Sequence, residues 1–372
     1  MHRLPQSLRA CHRLVHMTAP SIPTAWADVT AEWMNDAISR LHPEAEVSDV
    51  TVLLEDDGTN RRARFGLSYA AGSGPETVFV KAEAPAHREV HARNGNLFNE
   101  ADLYASGVAI PVDHPLPYRV VIDRPGLDYV IVMEDLAQRG ADPRDATRPL
   151  SVEQTANGVR SLAALHSAFW NFSGATRPEL AWVQTWEPTE GFQFGLRRRV
   201  PTGIERAADV LPDEVARYDG DEIVDLWVRF VSSLANGPVT LLHADPHIGN
   251  TYVLPNDEVG FLDWEVTRRG NWSQDLGYFV IGALTEDDRR SSQDDLLDEY
   301  LAALDVPAAT RPSRDEAWWR YRASAAYALA IWLSTLGTDG WQRHEVSLAL
   351  AQRFALAFAE LDTAHALDEL GV

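Results

Sequence analysis

Apolar and polar residues alternate along the first third of the chain and recur at helical spacing along the rest. Val47–Glu55 alternates loosely and runs into Asp56-Asp57-Gly58-Thr59-Asn60, a turn sequence. Arg62–Ala70 then sets Ala63, Phe65, Leu67 and Tyr69 against Arg62, Arg64 and Ser68, the period of two expected of a strand with one buried face. A Gly-Ser-Gly-Pro turn at 72–75 leads into Thr77–Glu83, a short apolar strand ending in charge. These three segments predict an antiparallel meander. Leu97, Ala101 and Tyr104 share one helical face, which predicts a helix over Asn94–Ser106 closed by Gly107. Tyr118–Asp123 and Asp128–Asp135 predict a hairpin through Arg124-Pro-Gly126.

The period changes after Asp135. Residues 137–150 are polar and carry Pro143 and Pro149, which suits a crossover loop. From Ser151 the spacing is helical, with Val159, Leu162, Ala163, His166 and Phe169 on one stripe. Ile223, Leu226, Trp227, Phe230, Val231 and Leu234 form a second stripe, and Asn236-Gly237-Pro238 ends that helix. Further helices are predicted near 274–284, 290–303, 314–336 and 341–366. There is no internal repeat. The expected fold is α+β and bilobal. A small antiparallel-sheet lobe spans residues 23–135 and a larger, mainly helical lobe spans 136–372, with a ligand cleft between them.

Composition narrows the function. The chain has 372 residues, 45% hydrophobic and 24% charged, enough to bury large cores. Its formal charge of −22 argues against nucleic acid, whose phosphates need clustered cations. The same charge tilts toward a neutral or cationic substrate, or serves solubility alone. No apolar run approaches the ~18 residues of a membrane helix. Cys11 is the only cysteine, which excludes a disulfide within the chain and points to a reducing, cytoplasmic setting. Residues 1–22 read as a disordered extension. Arg3, Arg9 and Arg13 precede any acid there, and Met17 is a candidate start.

The chemistry concentrates at residues 243–263. His-Ala-Asp-Pro-His-Ile-Gly-Asn is followed by an apolar strand pair and then Phe-Leu-Asp-Trp-Glu. Phosphoryl transfer needs a carboxylate beside the attacking hydroxyl, plus an amide oxygen and a second carboxylate for magnesium. Asp245, Asn250 and Asp263 supply them in that order, hard oxygens that suit this ion. His243 reads as a brace for the loop. Lys81 is the only lysine among 33 basic residues. At the end of a buried strand, its compact charge could reach nucleotide phosphates where a planar guanidinium would not fit. Glu100 on the following helix could pair with Lys81; Asp102 would face elsewhere. Gly58, Thr59 and Asn60 either lay backbone N–H groups over phosphates or form a plain hairpin turn.

These residues resemble the aminoglycoside phosphotransferase and choline-kinase-like superfamily. The likeness covers about residues 45–300. It rests on the lysine strand, the helix glutamate, Val130-Ile-Val-Met-Glu-Asp-Leu136, the loop at 243–250, Phe261-Leu-Asp-Trp-Glu265 and Asp275-Leu-Gly. The Glu-Asp-Leu segment and Leu162-Ala-Ala-Leu-His-Ser-Ala-Phe-Trp170 are most similar to the ecdysteroid-kinase-like branch. The resemblance implies a kinase-like fold, magnesium, and ATP held against the backbone at Met133, Glu134 and Leu136. It implies that Asp275 supports the catalytic loop from behind, and that a small hydroxylated molecule accepts phosphate against the helical lobe. Ala244 stands where many members have glycine. The acceptor stays open among aminoglycosides, sterol-like alcohols, choline, sugars and amino alcohols.

Other readings compete. His243, Asp245 and His247 have the spacing of metal ligands, as in a hydrolase, and a kinase-like module could bind nucleotide without catalysis. Trp170, Trp182, Trp186, Trp318, Trp319, Trp332 and Trp341 fit core packing, an apolar ring or a cation. Arg197-Arg-Arg199 reads as a solvated or anion-facing surface.

Overall fold

The computed structural model describes residues 22–371, so the expectations for Cys11, Met17 and the rest of the first 21 residues fall outside it. The N-terminal region comprises α1 (Ala31–Ile38), β1 (Glu46–Asp57), β2 (Asn60–Ala71), β3 (Thr77–Glu83), α2 (Arg88–Asn94), α3 (Asn99–Ala105), β4 (Pro117–Asp123) and β5 (Asp128–Glu134). Its antiparallel sheet runs β1-β2-β3-β5-β4, so the expected meander and hairpin both form.

The pleat sorts side chains between two cores. Val78, Val80 and Ala82 of β3 pack with Val130 and Val132 of β5 and with Met34 and Ile38 of α1. The alternate residues point the other way, where Ile131 and Met133 join the main core. Lys81, opposite Ile131, belongs to this second face.

The helix expected over residues 94–106 forms only from Asn99, as α3, and a separate unexpected helix, α2, precedes it. Gly95 takes the left-handed conformation (φ 68°) and closes α2, and α3 begins only at Asn99. Glycine adopts that conformation without the Cβ clash of other residues, which makes it a helix stop.

Past Asp135 the chain forms β6 (Asp142–Pro143), α4 (Val152–Ala168), α5 (Glu190–Ala207), α6 (Asp213–Ala216) and α7 (Gly220–Ser233). Then come β7 (Thr240–Leu242), β8 (Thr251–Val253), β9 (Val259–Phe261) and β10 (Arg268–Gly270). The last elements are α8 (Ser273–Ala283), α9 (Glu286–Ala303), α10 (Arg314–Leu336), α11 (His344–Glu360) and α12 (Thr363–Glu369). Helices α4 and α7 begin in capping boxes, Ser151 with Gln154 and Asp219 with Glu222. The α7 stripe is buried as its spacing predicts. The last expected helix splits at Asp362 (φ 47°) into α11 and α12.

The centre of the helical lobe is α10, whose Ala323, Ala325, Ala326, Ala328 and Ala330 are all buried. Small residues on every side let neighbouring helices approach closely. At Gly203 of α5 an added Cβ would lie 1.9 Å from the Leu333 carbonyl oxygen of α10. The sequence pattern does not single out α5, because Gly191, Gly195, Pro201 and Gly203 interrupt its helical signal.

Candidate functional site

The loop from His243 to Asn250 leaves β7 and is held from below by Asp275, whose carboxylate is fully buried at the start of α8. Asp275 Oδ2 accepts from the His243 main-chain N–H at 2.7 Å and Oδ1 from that of Ala244 at 2.8 Å. His166 Nε2 lies 3.3 Å from the same carboxylate, and its Nδ1 meets the Tyr300 hydroxyl at 2.7 Å. Gln274 Nε2 donates to the Ala244 carbonyl at 2.7 Å. These contacts fix Ala244 at φ 68°, a left-handed conformation that costs a non-glycine residue roughly 1 kcal/mol. A glycine there would relieve that strain.

His243 uses both ring nitrogens inside the loop. Nε2 donates to the Leu262 carbonyl at 3.0 Å, which leaves Nδ1 to accept from the Asp245 N–H at 3.3 Å. Burial pulls its pKa down and keeps the ring neutral. His247 Nδ1 accepts from the Gly249 N–H at 3.0 Å, and burial lowers its pKa to about 4. Both histidines therefore serve the backbone of the loop. No group of three or more His, Cys, Asp or Glu among the described residues stands at metal-ligand spacing, so the hydrolase arrangement does not form.

Asn250 Nδ2 donates to the Asp245 carbonyl at 2.9 Å and to Asp245 Oδ2 at 3.2 Å, which turns its Oδ1 away. The β8–β9 hairpin then carries the chain to Asp263, itself left-handed at φ 67°. Lys81 Nζ reaches across from β3 to Glu100 Oε2 at 2.6 Å and Asp263 Oδ1 at 2.7 Å, with Glu265 Oε2 at 3.5 Å. Glu100 Oε1 also accepts from the Trp264 N–H at 3.3 Å. Strand, α3 and the Asp263 turn thus meet on one ammonium. Asp102 pairs instead with Arg124 at 2.5 Å, as its place on the helix predicts.

Charge is distributed unevenly over this cluster. Burial disfavours the Lys81 ammonium, but Asp263, Glu100 and Glu265 more than offset it and hold its pKa well above the ordinary lysine value. Burial would raise Asp263, yet Lys81 holds it below the usual carboxylate range. Asp245 has no such cation. Burial, with the charges of Asp263 and Glu265 nearby, pushes its carboxyl well up.

Two hard oxygens are left over. Among the described residues, neither Asn250 Oδ1 nor Asp263 Oδ2 has a hydrogen-bond partner. One amide oxygen and one carboxylate are too few to cage an ion, but they fit magnesium, which takes most of its remaining ligands from water and phosphate.

The β1–β2 turn has the geometry of a plain hairpin. The Gly58 N–H closes the turn on the Asn60 carbonyl at 3.0 Å, so it does not point at a ligand. The Asn60 side chain is buried. Its Nδ2 holds Glu265 Oε2 at 2.6 Å and its Oδ1 accepts from Tyr129 at 2.8 Å. Thr59 lines the cavity in front of Asp245. At the strand end, Met133 is buried and the Glu134 N–H bonds the Leu116 carbonyl at 2.9 Å. Asp135 Oδ1 then caps the turn that begins at Leu136.

Glu265 and His166 belong to the site and carry no separate expectation from the sequence. Each had a signal. Glu265 lies two residues past Asp263 in the same turn, and His166 is the polar member of an otherwise apolar stripe. The cavity before Asp245 has a volume of about 490 Å³. Asn96, Phe192, Asp245 and Ile331 are shared with a deeper space of about 140 Å³ walled by Trp186, Arg268 and Tyr327. Of the seven tryptophans singled out, Trp186 and Trp341 line these spaces. Trp332 packs edge-on against His247 in the interior.

A model of the ecdysteroid kinase-like family matches residues 114–309. That span begins after Lys81 and Glu100, so those two are tied to the site by geometry alone. No curated protein sequence matches the chain. Among solved structures, a protein assigned as an aminoglycoside phosphotransferase from Ralstonia eutropha superposes with a TM-score of 0.52 at 14% identity, covering 89% of this chain and 97% of its own. A spectinomycin phosphotransferase, solved with ADP and spectinomycin, gives 0.51 at 12% identity, covering 90% and 99%. An ethanolamine kinase from Plasmodium vivax gives 0.50 at 11%, covering 84% and 83%. At these identities the likeness is one of fold.

Proposed function

The chain belongs to the ecdysteroid kinase-like family, and we propose that it is a magnesium-dependent small-molecule kinase moving the γ-phosphate of ATP to a hydroxyl group. The observation that carries this reading is the single ammonium of Lys81 held by Glu100 and Asp263, with one oxygen each of Asp263 and Asn250 left without a hydrogen bond among the described residues. A strand lysine braced by a helix carboxylate and a metal-binding aspartate is what phosphoryl transfer requires. The lobes of this reading meet at Asp135, with ATP against Met133–Leu136 and the acceptor against the helices.

In this reading Asp245 orients the acceptor hydroxyl and takes its proton as the oxygen attacks the γ-phosphorus. The bond from phosphorus to the β–γ bridging oxygen breaks, and ADP leaves. Asn250 and Asp263 would hold magnesium, which neutralises phosphate charge when bound. Lys81 grips the phosphates, and His243, His166 and Asp275 keep the loop in place. Most of the rate gain is positioning and charge stabilisation. The upward push on the Asp245 carboxyl suits a proton acceptor.

The test separates two steps. Asp245→Ala is expected to lower phosphate transfer by roughly 10²–10⁴-fold, the usual worth of a general base, while ATP binding measured by calorimetry survives. Asp263→Ala is expected to weaken magnesium-ATP binding itself. Wild-type turnover in either variant contradicts the assignment. Nucleotide binding by wild-type protein without ADP release, across a panel of hydroxylated metabolites and antibiotics, would mark a binding module instead.

A further inference from the structure

The wall of the cavity facing Asp245 is cationic, although the chain as a whole has 55 acidic and 33 basic residues. Arg93, Arg198 and Arg199 line it, with Arg268 at its deep end. The carboxylates lining the two connected spaces are Asp245 and Glu265, both already engaged in the phosphotransfer cluster. Elsewhere on α5 an arginine finds acids readily, since Arg197 holds Asp221 at 3.1 Å and Asp225 at 2.6 Å. Among the described residues, no carboxylate comes within ion-pair distance of Arg93, Arg198 or Arg199.

Arg199 is also held in place. Its Nε donates to Ser334 Oγ at 2.8 Å, and its guanidinium lies over the Trp341 ring at 4.6 Å. It rests against Gly195, where a Cβ would come within 2.9 Å of Nη2. Its terminal nitrogens make no hydrogen bond among the described residues. Burial, with Arg198 beside it, lowers its pKa. An oriented guanidinium with an open fork is suited to a two-point contact with an oxyanion.

The aromatic faces point the same way. Arg199 already lies over Trp341 and Arg268 stands 5.5 Å over Trp186, so two of the lining rings are engaged by the protein's own cations. The apolar surface open to a ligand body comes chiefly from Phe192, Phe194, Tyr327 and Ile331. We propose that the acceptor is a hydroxylated organic acid with an apolar body, its anionic group held by Arg199 and Arg198 while its hydroxyl meets Asp245. The orientation of that hydroxyl rests on the phosphotransfer reading; the anion site does not.

The test uses mandelate and cholate, each beside its methyl ester, with choline as the cationic control. Binding is read by intrinsic tryptophan fluorescence without nucleotide, and ADP formation is read with magnesium and ATP. At least one acid is expected to bind about tenfold or more tighter than its ester, a gap of ~1.4 kcal/mol. The Arg198→Gln/Arg199→Gln double variant is expected to erase that preference and leave ATP affinity unchanged, and Arg199→Lys is expected to restore part of it. Esters or choline binding as well as the acids would overturn the proposal, as would an unchanged preference in the double variant. Loss of ATP affinity in that variant would also overturn it, by assigning the arginines to the nucleotide. Selective binding of an acid without ADP formation would leave the anion site standing and overturn the assignment of that acid as the phosphate acceptor.

Discussion

Asp245 sits among groups that resist its charge. Burial and the carboxylates of Asp263 and Glu265 raise its pKa, while its hydrogen bond from Asn250 only partly compensates. A carboxyl whose pKa is higher folded than unfolded adds stability below the unfolded value, and that stability is lost as pH rises through the folded one. At neutral pH the carboxylate therefore works against folding. Asp245→Asn keeps an oxygen to accept from Asn250 and removes the charge. It is expected to melt a few degrees above wild type near pH 8 by calorimetry, with the gap closing below about pH 4, where the unfolded carboxyl is itself protonated. A variant less stable at every pH would show that the charge is needed for folding. Residue types alone picked out the side chains that the fold brings together in the candidate site: Lys81 with Glu100 and Asp263, and Asn250 with Asp245. Asn60 was less legible, because its role depends on a partner 205 positions away, Glu265.

At the scale of elements, clean periodicity was readable and interrupted periodicity was not. The α7 stripe and the β2–β3 alternation set their own burial, so pattern and structure agree. The gap comes at α5, where glycines and a proline stand for close packing rather than for a loop. Gly203 lets α5 cross α10 against the Leu333 carbonyl, and α5 carries Arg198 and Arg199 to the cavity. Gly203→Val is expected to cost roughly 1–3 kcal/mol, as overpacking typically does, and to lower the melting temperature. Because the helix would move outward, the same variant is expected to weaken acceptor binding more than ATP binding. An unchanged melting temperature would mean that the crossing is looser than the structure shows. The late start of the helix expected over 94–106 has the same origin. Gly95 is a conformational stop, and the apolar spacing runs straight past it.

Across the whole molecule, two cores set two surfaces against each other. The sheet buries one face on α1 and presents Lys81 on the other, while the helical lobe presents the loop that Asp275 supports. Fold class was legible because strands gather in the first third and helices in the rest. No helix among the described residues is long and apolar enough to cross a membrane. Net charge and the cavity wall point in different directions. A total of −22 points toward cations, yet the cavity wall is lined with arginines, because summed charge says nothing about which residues the fold brings together. In the proposed reaction phosphate passes directly from ATP to the acceptor while Asp245 takes the hydroxyl proton. The most direct measurement follows label from γ-labelled ATP into a phosphorylated acceptor, comparing wild type with Asp245→Asn at matched folding and nucleotide occupancy. Magnesium-dependent label in the acceptor is expected with wild type, and a loss of roughly a hundredfold or more with the variant; equal labelling by both proteins would contradict a role for Asp245 in the transfer.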